Sequence, residues 1–403
     1  MGVTSVLARW ASTSVHVLVV EVPGSDESRM LLEAELDRRG WSVALSPADA
    51  DLLAVCGIPG NELRTACDLV WNQLPGPRSR ASVTTAAALS ALLDGAVAHL
   101  VDDSRQREDA RARSQHVAAT DATPDADEHE GMSHEDMDHG GIDRGMDHGA
   151  MDHGGMDHGA MDHGGMDMPM PGGIPLAGGG DDRDGLEMDV LNVPLGPVLP
   201  HWPAGLVVDC VLQGDVIVSA QARILPAASA SASEEAMTGV VDARRRMIRL
   251  CDQASQLLAL VGWQAAAQNA RRLRDDSLRG ADLTDHGAEL DRLRRRVERS
   301  TLLRWSLKGL TLTGSATRDD GADLSIRHRL IGWLREAAEL AGTTPGGRPI
   351  AGHDANRAQE AQDLLDALPD LLRGTDLGTA RLLIAGLGLD TAALRETHER
   401  SHD

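Results

Sequence analysis

Apolar positions change their spacing three times along the chain, and each change marks a different kind of element. Val15 to Val22 (VHVLVVEV) is an almost unbroken β-branched run, the pattern of a strand buried on both faces. Pro23-Gly24 ends it. Asp26 to Arg39 then places Met30, Leu31, Ala34 and Leu36 on or near one helical face, and Gly40 stands where a helix C-cap belongs. Trp41 to Leu45 and Leu52 to Cys56 read as further strands, and Asn61 to Leu74 as a helix closed by Pro75 and Pro77. Strand, helix, strand, strand, helix predicts an open-sheet α/β domain over residues 15–100. After residue 185 the period shortens. Met188 to Val193, Leu206 to Gln213 and Asp215 to Ile224 read as strands, the last two joined by a tight turn at Gly214. The small-residue stretch Ala227 to Ser233 separates this β-domain (186–226) from a helical domain (236–403). In that domain Met247, Leu250, Cys251, Ala254, Leu257, Leu258 and Val261 recur at helical spacing. Further helices are expected near Gln264–Arg279, His286–Arg304, Ala322–Leu340, Asp354–Leu372 and Thr375–Ala385. The C-terminal part is therefore expected to be α+β.

Between the two parts the apolar pattern vanishes. Residues 101–185 are an acidic, low-complexity linker; Asp102 to Arg113 could prolong the preceding helix. From Val101 to Val190 there are 23 acidic residues against 6 basic, so most of the formal charge of −23 sits here. Such a composition cannot bury enough apolar surface to offset chain entropy, and disorder is the expectation. An acidic segment also repels nucleic acid, and no nucleic-acid partner is expected. The arginine-rich stretch Ala243 to Trp305 (14 Arg, 8 acidic) reads first as a solvated helix face; an anionic partner is a second reading, with no aromatic platform or recognition motif to make that partner nucleic acid, and docking of the acidic linker is a third.

The linker carries the densest metal-ligand chemistry of the chain. Met-Asp-His-Gly occurs five times, from Met137, Met146, Met151, Met156 and Met161, with one degraded copy at Ile142-Asp143-Arg144-Gly145. The candidate ligands are His129, His134, Met137, His139, Met146, His148, Met151, His153, Met156, His158, Met161, His163, Met166, Met168 and Met170. Imidazole suits Cu(II) and Ni(II), and thioethers suit Cu(I). A flexible His/Met/Asp tract predicts multi-site copper or nickel binding of moderate affinity, not a rigid catalytic centre. The competing reading is a spacer enlarged by repeat slippage, whose composition binds metal incidentally.

Cys56, Cys67, Cys210 and Cys251 form no CxxC pair, so no iron–sulfur cluster is expected from the chain's own cysteines. The sequence has seven Trp but no Phe or Tyr, so the cores must be built from Leu, Val, Ala and Trp. No apolar run approaches the roughly 20 residues that span a bilayer, and no transmembrane segment is expected. Arg9 interrupts the one candidate for a signal-peptide core. A cytoplasmic protein follows as the expectation, at most peripheral on a membrane through partners.

Asp49 to Arg78 (DADLLAVCGIPGNELRTACDLVWNQLPGPR) resembles the cluster-bearing small subunit of respiratory complex I and of nickel–iron hydrogenases. Trp71-Asn72-Gln73-Leu74-Pro75-Gly76-Pro77 stands where that family has a Tyr-Asp-Gln-Met-Pro-Glu-Pro-like segment. The later run LNVPLGPVLPHWPAGLVVDCVLQGDVIVSAQARIL resembles the β-domain of the large subunit. Gly196-Pro197, Pro200, Gly205 and Gly214-Asp215 occupy the motif positions, and the order of helices that follows is similar to the large-subunit core. The reactive groups of the family are replaced. The loop Val22-Pro23-Gly24-Ser25-Asp26 has no cysteine, and neither does Arg78 to Leu93. Leu199 stands for the quinone-side His, and Pro203 or Ala204 for the second; His201 lies one or two positions away. The resemblance implies a fused, non-catalytic relative: an accessory or assembly subunit of a membrane-associated oxidoreductase, with copper or nickel as possible metals. Two alternatives stand beside it, a standalone copper or nickel binding or storage protein, and an oxidoreductase subunit that borrows a partner's cofactor. If catalytic at all, the chain would act as an NADH–quinone oxidoreductase-like or hydrogenase-like subunit.

Overall fold

The computed structural model describes residues 14–121, 178–181, 187–228, 239–282, 284–312, 325–342 and 353–394. Contacts divide the chain into two compact units: residues 1–108 with 175–403, and residues 109–174.

The α/β part begins with β1 (His16–Glu21), α1 (Asp26–Arg39) and β2 (Ser42–Val43). It continues with β3 (Leu52–Cys56), α2 (Asn61–Gln73), β4 (Ser79–Val83) and α3 (Leu89–Leu100). All four strands are parallel, in the order β2-β1-β3-β4. Burial on both faces explains the unbroken apolar runs. Val17, Leu52, Ala54 and Cys56 join α1 and α3 in one core, while Leu18, Val20, Leu53 and Val55 join α2 in the other. Two sequence expectations are corrected here. The strand expected over Trp41–Leu45 shrinks to Ser42–Val43, with Leu45 exposed. It is Leu32, not Leu31, that α1 buries fully. The apolar reading also passed over β4, because its sequence SRASV alternates small and polar residues. Ser79, Ala81 and Val83 face inward from the sheet edge, and Arg80 and Ser82 face out.

Helix α4 (Asp103–Asp121) is a separate helix, not a prolongation of α3. Asp102 Oδ1 accepts from the Ser104 and Arg105 amides, an N-cap that restarts the chain.

The second part opens with an antiparallel sheet of β5 (Gly178–Asp181), β6 (Glu187–Leu195), β7 (Leu206–Gln213) and β8 (Val216–Ile224) in sequential order. Strand β5 lies within the expected linker. Gly214, at φ 60, supplies the positive φ that a two-residue hairpin turn needs at its first position. The helices α5 (Gly239–Leu260), α6 (Gln264–Leu278), α7 (Thr284–Arg299), α8 (Thr301–Ser306), α9 (Ile326–Ala341), α10 (His353–Leu372) and α11 (Leu377–Leu387) follow. The single helix expected over His286–Arg304 is two, because Ser300 leaves helical geometry and its side chain caps α8 by accepting from the Leu303 amide. The sheet and these helices share one core, in which Met247, Leu250, Cys251, Ala254, Leu257 and Leu258 are all buried, as their spacing predicts.

The two parts share buried packing. Val207 and Leu225 of the antiparallel part complete the α2-side core of the α/β part. Gly205, at φ 67, lets the backbone pass so close that a Cβ there would stand 2.7 Å from Pro23 Cγ and 2.8 Å from the Leu225 carbonyl oxygen. Among the described residues, no helix is long and apolar enough to cross a membrane.

Candidate functional site

In an open parallel sheet, ligand sites form beyond the carboxyl ends of the strands, where the strand order reverses. Here the reversal lies between β1 and β3, and the residue at the end of β1 is Glu21, paired in register with Cys56. A carboxylate ending an apolar strand is buried against whatever packs there. What packs there is α5 and α6 of the helical part.

Arg29, one turn into α1, donates from Nε to Glu21 and from Nη1 to Glu33 at 2.8 Å. It also grips Asp252 of α5 with two bonds, Nη2 to Oδ2 at 2.6 Å and Nη1 to Oδ1 at 3.3 Å. Arg274 of α6 donates from Nη1 to Glu33 at 2.7 Å and to Asp252 at 2.6 Å, and from Nε to Asp275 at 2.8 Å. Glu33 and Asp252 thus each bridge both arginines, and the four close an alternating ring. Gln256 donates to the remaining side of Asp252 at 2.8 Å. The Arg274 side chain is 0% exposed and those of Arg29 and Asp252 9% each, so water screens these pairs little.

Four carboxyls meet two guanidiniums, and burial sorts them. Burial opposes ionisation of Glu33 and Asp252, but Arg29 and Arg274 outweigh it and hold both carboxyls below the usual range. Glu21 reaches only Arg29. Burial dominates there and, with the nearby Asp26 and Asp252 charges, pushes its pKa from 4.5 up to about 7. Burial likewise raises Asp275 above its ordinary value. The ring is therefore balanced by two ionised acids, and Glu21 is the group beside it that exchanges a proton near neutrality.

A cleft opens over this network. Glu21, Asp26 and Arg29 line one wall, Asp252, Gln253 and Gln256 another, and His201 and Trp202 a third, with the partly exposed Asp390 at the rim. The loop carrying His201 is fixed from several sides. Trp202 Nε1 donates to the Leu206 carbonyl at 2.8 Å, and Arg381 donates to the Pro200 carbonyl at 3.0 Å. His201 takes φ 57, an uncommon conformation for a residue with a side chain. Burial pushes its imidazole pKa down, so it stands neutral in the cleft wall. Asp390 accepts from Arg249 at 3.4 Å and from Arg357 at 2.5 Å, tying the rim to α5 and α10.

All four cysteines are free and buried. Burial raises each thiol: Cys67 and Cys210 to about 11, Cys251 to about 12 and Cys56 further still. At neutral pH they are protonated, and a thiol in that form is a poor nucleophile and a poor metal ligand.

The histidine and methionine ligands read from the sequence, His129 through Met170, lie outside the described residues. Among the described residues no group of three or more His, Cys, Asp or Glu side chains is placed to hold a metal ion. The ring and Glu21 escaped the sequence reading. Asp252 does interrupt the buried face of α5, and Glu21 the end of an apolar strand, so each was visible as an irregularity. Their partners were not, since Arg29 and Asp252 are separated by 223 positions and Arg274 and Glu33 by 241. Comparison of the chain with protein-family models, with curated proteins and with solved structures finds no match in any of the three.

Proposed function

We propose that the chain is a non-catalytic accessory or assembly subunit of a membrane-associated oxidoreductase of the complex I or hydrogenase type. Its α/β and sheet-and-helix parts act as one scaffold, and its Met-Asp-His-Gly tract offers copper or nickel ligands. The observation that carries this reading is the closed ring of Arg29, Glu33, Arg274 and Asp252. In the family that the sequence resembles, the small and large subunits meet face to face around their redox groups. Here the junction of the corresponding parts is occupied by a closed set of buried ion pairs, and the nearby thiols are buried and protonated. Such a junction fixes one docking register for two parts and leaves the outer surfaces to meet partners.

The test is purification of the tagged full-length chain from its native host, with mass-spectrometric identification of what accompanies it. Recovery of identified iron–sulfur subunits of such an oxidoreductase, with no oxidoreductase activity in the isolated chain, is the expected result. Recovery of the chain alone from the fractions that hold those subunits would overturn it.

The second reading is a standalone copper or nickel store or sensor, favoured by five copies of one ligand-bearing unit. Titration calorimetry with Cu(II), Cu(I) and Ni(II) on the full chain and on a chain lacking Met137 to Met170 separates the two readings. Several tight, repeat-dependent sites together with solitary purification support the second.

A further inference from the structure

The surface most at odds with the rest of this acidic protein is the short helix α8 with its flanks. Of the six described tryptophans, Trp41, Trp202 and Trp333 are buried, and Trp71 and Trp263 lie beneath the guanidiniums of Arg78 and Arg296. Trp305 alone stands out in solvent, 75% exposed, and Leu302 beside it on the same helical face is 71% exposed. These are the two most exposed large apolar side chains among the described residues. The helix is held from below, where Leu303 and Leu307 are buried in the helical core. Its outer face is therefore presented rigidly, not left over from a frayed end. Arg299, Arg304 and Lys308 are exposed around the two apolar side chains. From Asp291 to Lys308 there are seven basic residues and two acidic ones, and from Arg299 to Leu312 there is no acidic residue. Asp291 and Glu298 are both occupied by Arg294, and Asp291 also by Arg295.

We infer that this face docks the protein directly on an anionic lipid surface, with Trp305 and Leu302 entering the headgroup region and Arg299, Arg304 and Lys308 meeting lipid phosphates. Two protruding apolar side chains are far too little for a stable protein interface, which buries about 800 Å² on each partner. A bilayer needs less: an amphipathic aromatic at the interface, whose ring prefers the headgroup level, and a few cations opposite its negative surface. The arrangement is charge-complementary to such a surface although the whole chain is acidic, because the acidic excess lies elsewhere in the sequence. This attachment needs no partner subunit, so it stands or falls separately from the accessory-subunit reading.

The test is co-sedimentation of the full-length chain with vesicles of phosphatidylcholine alone and of an equal mixture of phosphatidylcholine and phosphatidylglycerol. Binding to the mixed vesicles, lost at high salt and absent on phosphatidylcholine alone, is expected. Trp305→Ser should weaken it about ten-fold and abolish the vesicle-induced blue shift of tryptophan fluorescence. Arg304→Glu combined with Lys308→Glu should weaken it by at least about ten-fold. All these side chains are exposed, so both variants should melt as the parent does. Equal binding of parent and variants, or none to either vesicle, would overturn the proposal. So would salt-sensitive binding of nucleic acid or of an acidic polypeptide through these residues without vesicle binding, or a dimer lost on Trp305→Ser.

Discussion

Asp252 shows how much one buried charge can decide. It accepts from Arg29, Arg274 and Gln256, and through Arg29 it connects α5 to the first helix of the chain. Desolvation of ions costs several kcal/mol each, so a buried ring need not add net stability over an apolar junction; removing one member leaves the others uncompensated. Asp252→Asn should therefore destabilise the fold by about 3–5 kcal/mol, read as a lower urea midpoint with an unchanged slope. Glu21 should act in the opposite sense. It keeps its proton up to about pH 7 in the folded chain, against an ordinary 4.5. The folded state thus holds the extra proton between those values, and stability falls as pH rises through that window and stays low above it. Glu21→Gln still accepts from Arg29 but cannot ionise beside Asp26 and Asp252. It should gain on the order of 2–3 kcal/mol over the parent at pH 8 and lose that advantage near pH 4.5. Glu33 and Asp252, whose carboxyls are held low, govern the separate loss of stability at more acid pH. An equal pH profile of parent and Glu21→Gln would show Glu21 to titrate normally.

At the scale of elements, capping side chains decided where helices begin and end. Asp376 Oδ1 accepts from the Thr379 amide at 2.9 Å, and α11 accordingly starts at Leu377, not at Thr375 as its apolar spacing suggests. Ser300 divides what reads as one helix into α7 and α8, and that division is what turns Leu302 and Trp305 outward. Asp376→Ala should cost about 1 kcal/mol in thermal or urea unfolding, the usual cost of a lost N-cap. Ser300→Ala should cost a similar amount and loosen α8, seen as faster amide exchange from Leu303 to Leu307. Unchanged exchange there would mean that burial of Leu303 and Leu307 alone holds the helix.

For the whole molecule, the division of labour follows the composition. Residues 137–170 are rich in Asp, Gly, His and Met and carry no apolar periodicity. Deleting Met137 to Met170 should leave the melting temperature of the remainder within about 1 °C, since a tract of this composition has little apolar surface to bury. The same deletion should abolish whatever copper or nickel binding the repeat supports, measured by calorimetry on both proteins. A large fall in melting temperature would show that the repeat contributes to folding.

Much of this architecture could be read directly from the chain. The β-branched runs gave the parallel strands, because a strand covered on both faces has no polar side. The spacing from Met247 to Leu258 gave the buried face of α5, and Gly214 gave the hairpin. These are local signals, each contained within a turn or a strand. Strand β4 was missed because its inward residues are small and stand at a sheet edge. The ring, the raised pKa of Glu21 and the cleft beside His201 belong to the tertiary structure alone. Arg29 looks like any surface charge, and Asp252 is only an irregularity on an apolar face, until packing brings them to 2.6 Å from across more than half of the chain. Local periodicity fixes which face of an element turns inward, but only the packed fold decides which charges meet there without water.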